Sequence, residues 1–125
     1  MEMRMALNEL RGKIVVSEEM VVVGGGSRSK LWRQIYADVY KMRILKTNID
    51  QQAAALGAAA LGAVGAGLWK DYEIIDQNHK VEDVTEPNPV NAATYEQIMP
   101  IFLKAGKYLA EIGDLTAALK PPPTA

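Results

Sequence analysis

A chain of 125 residues, 49% hydrophobic and 23% charged, has the make-up of one globular domain and is too short for a large two-domain enzyme. A formal charge of −1 gives no electrostatic reason to expect nucleic acid or an acidic membrane as partner. The absence of cysteine excludes disulfides, thiolate metal sites and a cysteine nucleophile, and with the charged opening MEMRMALNEL it sets the expectation of a cytoplasmic protein.

Met3, Leu7 and Leu10 recur at helical spacing, so a helix is expected over residues 2 to 11, stopping at Gly12. Lys13 to Val16 fits either a short strand or a connection. Glu19 to Val23 is the firmer strand, broken by Gly24 to Gly26. The next helix is expected near Lys30 to Tyr40, with Leu31, Trp32, Ile35, Tyr36 and Val39 on one face and Ser27 or Ser29 as cap.

Arg43 to Lys46 reads as a short strand. Asn48 and Asp50 then offer caps for a third helix, about Gln51 to Leu68, in which Leu56, Ala60 and Val64 recur every four residues. Ala53 to Trp69 carries no charge, but it is shorter than the roughly 20 residues a membrane span needs. It reads as a buried helix. Asp71 to Asn91 is polar and irregular, with EPNP at 86 to 89 forcing an extended turn. A last helix is expected from Ala92 to Ile112, burying Tyr95, Ile98, Met99, Phe102, Leu109 and Ile112 and kinked or broken at Pro100. PPPTA at 121 to 125 reads as a frayed tail. The alternation implies α/β layering with few strands and several helices: two firm strands and one candidate.

The stretch VVVGGGSRSKLW, residues 21 to 32, carries the chemistry. Glycine admits positive φ and lets a phosphate approach the main chain with no Cβ in the way. A helix start beyond it offers unpaired N–H groups and a positive dipole end. A plain strand-to-helix turn without ligand is the competing reading. The GxxxxGK pattern of a Walker loop is absent. Gly24, Gly26 and Ser29 approach a dinucleotide fingerprint, with Asp50 as its acidic partner, but Ser29 replaces the third glycine. His79 is expected to be solvated, and Trp32 and Trp69 to pack in the core. The neighbouring pairs Glu18–Glu19 and Glu82–Asp83 should diverge, so no metal site and no general acid–base pair is expected.

Taken together, the GGG-Ser-x-Ser-x-x-Trp-x-Gln segment, Ala37-Asp38-Val39, the short basic strand, the AAALGAA helix, VEDVTEPNP and the Tyr95 helix resemble the FGGY carbohydrate kinase family, its xylulokinase-like members most. The likeness covers about residues 19 to 112. It implies part of an actin-like, ribonuclease-H-like C-terminal domain, with ATP, accompanied by Mg²⁺, lying between two domains. Carried over by position, Gly25 and Gly26 should face the phosphates or ribose, with Ser27, Ser29 and Lys30 as further nucleotide-binding candidates. Many xylulokinase-like members have Pro where Lys30 stands. Gln52 and Ala53 should lie near the adenine.

The family's sugar site and its catalytic aspartate lie upstream of anything here, so no catalytic residue is expected in this chain. The resemblance therefore implies a fragment: residues 1–120 as part of the nucleotide-binding domain and 121–125 as tail, inactive alone, from a kinase acting on a xylulose-like sugar. Two other readings stay open. One is a non-catalytic interaction domain that forms a homodimer through bare sheet edges. The other is a small NAD-binding module relying on Asp50.

Overall fold

The computed structural model describes residues 1–119; the expected frayed tail at 121–125 lies outside them. The element order is α1 (Glu2–Arg11), β1 (Glu19–Val22), a turn of 3-10 helix (Gly25–Arg28), α2 (Lys30–Tyr40), β2 (Arg43–Thr47), α3 (Ala53–Gly65), α4 (Glu73–Asn78), β3 (Val81–Thr85) and α5 (Pro89–Ala117).

β2 is the central strand. β1 pairs with it in parallel, Val21 beside Leu45, so the chain must cross over between them, and α2 makes that crossover. β3 pairs antiparallel on the other side, Val84 beside Leu45. The core lies where α2 meets the sheet: Ala37, Val39 and Tyr40 pack with Met42 and Ile44, and Leu7 of α1 closes it. Buried Arg4 donates to the Val39 carbonyl and Arg11 donates to the Tyr40 carbonyl at 2.9 Å, so α1 satisfies the orphan end of α2. Lys41 takes the left-handed conformation (φ 52°) that ends this helix.

Asp38, 2% exposed, fixes the start of α5. Its carboxylate accepts from the Asn88 amide at 2.7 Å, from Asn91 Nδ2 at 2.8 Å and from Gln34 Nε2 at 2.8 Å. Asn88 in turn accepts from the Val90 and Asn91 amides, with Pro89 as the first helical residue. That cap starts α5 earlier than the expected Ala92.

Lys13 to Val16, open in the sequence between a strand and a connection, is a connection. Other sequence expectations fail. The third strand lies in the region read as irregular, Asp71 to Asn91, which also holds α4. β3 escapes pattern reading because its charged residues are paired: Glu82 with Lys46 of β2 and Asp83 with Arg33 of α2. α3 is shorter than expected and mostly exposed; only Ala60 is buried, and Leu61 is 65% exposed. α5 runs unbroken through Pro100, and only its first turns reach the body. Ala92 is buried and Tyr95, Met99 and Phe102 are half-buried, whereas Ile98, Leu109 and Ile112 are exposed. Trp32 is also exposed, lying against Tyr36 with ring centroids 5.7 Å apart, and not in the core. Among the described residues no helix is long and apolar enough to cross a membrane.

Candidate functional site

The glycine loop leaves the end of β1 through Gly24, at φ 84° and ψ −174°. Only glycine adopts this backbone region readily. The Gly24 amide donates to the Asp50 carbonyl at 2.8 Å, which ties the loop to the segment leading into α3. Ser27 then closes the turn. Its amide and its Oγ both donate to the Gly24 carbonyl, at 3.1 and 2.7 Å, and the residue is fully buried. Ser29 caps α2, its Oγ accepting from the Trp32 amide at 3.3 Å, and Lys30 is the exposed first residue of that helix.

Two contacts hold the loop from behind. Arg33, 2% exposed, donates to the Ser27 carbonyl and ion-pairs with Asp83 of β3 at 2.6 Å. Its Nε is buried without a partner. A Cβ added at Gly26 would sit 3.4 Å from the Tyr36 hydroxyl, so glycine there allows close packing on α2.

The outer side of the loop is open. A Cβ added at Gly24 meets nothing within 4 Å, and one at Gly25 meets only Gln51 Nε2, at 4.0 Å. Gln51 precedes α3, whose N-cap Gln52 makes no side-chain cap, so the first N–H groups of that helix are left free. Asp50 pairs with Arg28 at 3.3 Å, and its Oδ1 accepts from the Gln51 amide at 2.5 Å. Its carboxylate, the acidic group of the dinucleotide reading, is thus already engaged within the chain.

A groove of about 530 Å³ continues from this point between α3 and α4. It is lined by Asn48, Gln52, Leu56, Trp69, Ile74 and Asn78 among others, and is mostly apolar. His79 is not simply solvated: half-buried beyond α4, it sits 2.9 Å from the Thr47 hydroxyl.

The structure therefore brings Gly25 beside the start of α3, packs Gly26 against Tyr36 of α2, and sets Gln52 on an apolar groove. Ser27 and Ser29 spend their hydroxyls within the loop and the α2 cap, and Lys30 stands at the loop's far end. Sequence reasoning missed Arg33. The available signal was its spacing: Arg33 lies four residues before Ala37, on the buried face of α2, where an unpaired charge is not tolerated. Among the described residues no three His, Cys, Asp or Glu side chains converge to hold a metal ion.

Residues 1–66 match the sequence profile of the C-terminal domain of the FGGY family of carbohydrate kinases. The chain belongs to this family. The match takes in α1, outside the region read from the sequence as family-like. A xylulose kinase of Staphylococcus epidermidis is 35% identical over 81 residues, 64% of this chain and 16% of the relative. An autoinducer-2 kinase of Salmonella paratyphi B is 37% identical over 84 residues, 66% of this chain and 16% of the relative. A xylulose kinase of Lactococcus lactis is 32% identical over 97 residues, 76% and 19% respectively.

The solved xylulose kinase from Lactobacillus acidophilus superposes with a TM-score of 0.71 at 28% identity, covering 86% of this chain and 22% of that one. The gluconate kinase from the same organism gives 0.68 at 28% identity, over 83% and 21%. The fold is thus part of the FGGY C-terminal domain, actin-like and ribonuclease-H-like. The chain spans 16 to 19% of the length of these curated relatives.

Proposed function

We propose that this chain forms part of the nucleotide-binding domain of an ATP-dependent carbohydrate kinase and contributes one wall of its ATP site. The observation that carries the reading is the junction of the glycine loop with the start of α3, held by the Gly24–Asp50 hydrogen bond. Two sets of backbone N–H groups, from a loop with an open face and from an uncapped helix start, meet there. That combination suits a polyphosphate.

Gly25 and Gly26 present their backbone to the phosphates. Ser27 shapes the turn from inside, Ser29 orients α2, and Lys30 adds positive charge at the loop's far end. Gln52 and the groove between α3 and α4 take the nucleoside. Bound ATP with Mg²⁺ supplies the phosphoryl group to be transferred. This chain binds and orients the donor, and the base and the sugar-binding site are furnished by sequence outside it.

The acceptor is a xylulose-like sugar in this reading. Relatives named as xylulose and autoinducer-2 kinases match this chain at 35% and 37% identity, so in this reading the acceptor is selected outside it. A coupled ADP-release assay with xylulose and ATP tests the division of labour. The isolated chain should give no turnover above background; clear turnover would show that it holds a complete site.

A further inference from the structure

α5 carries two apolar stripes on different faces. One, Ala92, Tyr95, Met99 and Phe102, is buried or half-buried toward the body. The second is Ile98, Ile101, Ala105, Tyr108, Ile112 and Leu115, with alternating spacings of three and four residues, which is the seam of a coiled coil. All six are exposed, Ile101 at 68% and Leu115 at 71%. A seam this regular, left in water along most of a 29-residue helix, calls for a partner helix.

The flanking charges say which partner. Lys104 and Glu111 border the same edge of the seam, one heptad apart. Against a parallel copy Lys104 would face Leu109 and Glu111 would face Thr116 of the other helix, leaving both without an opposite charge. Against an antiparallel copy, Lys104 of each helix meets Glu111 of the other, giving two ion pairs related by a two-fold axis.

The seam is self-complementary in that same register. Ile98 meets Leu115, Ile101 meets Ile112, and the small Ala105 meets the large Tyr108, so all six positions are matched and small faces large at the centre. We propose that α5 docks antiparallel against α5 of a second copy of this chain. The surface is separate from the sheet edges and from the glycine loop.

Sedimentation equilibrium on the intact chain tests this. The expected mass is twice the 13.7 kDa of one chain, with dissociation on dilution. Lys104→Glu should weaken association about tenfold, and adding Glu111→Lys should restore it, because the double reversal rebuilds both pairs. A fold defect would not be rescued in that way.

Cysteine variants read the direction without background, since the chain has no cysteine. A mixture of Ile98→Cys and Leu115→Cys chains should form a disulfide-linked heterodimer, and neither variant should cross-link alone. A monomeric mass, leaving the seam to another part of a longer kinase, would overturn the proposal. So would self-cross-linking of Ile98→Cys, which marks a parallel pair, or a double reversal that fails to restore association.

Discussion

The amide of Gly24 donates to the carbonyl of Asp50 at 2.8 Å, joining the loop after β1 to the segment that opens α3. Without that bond the two sets of free N–H groups belong to separate elements. With it they form one surface. The conformation that makes the bond, φ 84° with ψ −174°, is open in practice to glycine alone.

Gly24→Ala should therefore destabilise the chain by about 1–3 kcal/mol, all of it backbone strain, since an added Cβ meets nothing within 4 Å. Urea unfolding checks this. Gly25 has no positive φ, and Gly25→Ala should leave stability unchanged or slightly raised. Its effect should fall on nucleotide binding. The pair separates folding from function at adjacent positions.

Arg33→Met should destabilise by about 1–2 kcal/mol, because it strips the Ser27 carbonyl of its buried donor and the half-exposed Asp83 of its partner. Arg33→Lys keeps the charge but loses the two-armed reach and should recover only part of the loss. Unfolding midpoints in urea, with hydrogen exchange at Gly26 and Ser27 as a local readout, check both.

Asp38→Ala should cost about 2 kcal/mol and free the start of α5 first, since three donors from α2 and the α5 cap converge on that carboxylate. Faster amide exchange at Val90 and Asn91 than in the sheet is the expected pattern.

Glu96 gives the acid limb of stability a specific source. The Lys41 hydrogen bond holds its carboxyl below the ordinary value; partial burial opposes this, and Arg4 adds to the lowering. A folded pKa below the unfolded one means the contribution is fully present above the unfolded value and is lost as pH falls through the folded value. Wild type should exceed Glu96→Gln in stability near neutral pH, and the gap should close as pH falls below the usual carboxylate range. Urea midpoints measured across that range decide it.

The legible parts of the chain were those where one local signal suffices. The β-branched run before three glycines placed β1 and its loop, and the apolar face of residues 30 to 40 placed α2 to the residue. Position alone narrowed the α2 cap to Ser27 or Ser29, and the structure selects Ser29. What escaped depends on distant partners. β3 alternates only after Glu82 and Asp83 are seen to be neutralised by Lys46 and Arg33. Ser27 looks like a ligand donor until its hydroxyl is found turned onto Gly24. α5 carries apolar residues on more than one face, and spacing cannot say which face meets the body.

The most direct test of the nucleotide reading is a titration of the isotope-labelled chain with ATP and Mg²⁺, followed by amide chemical shifts, which registers even weak binding. Saturable shifts at Gly25, Gly26, Gln51 and Gln52, lost in Gly25→Ala and not reproduced by NAD, are the predicted result. No shifts at these residues at millimolar ATP, or larger saturable shifts elsewhere, would contradict it.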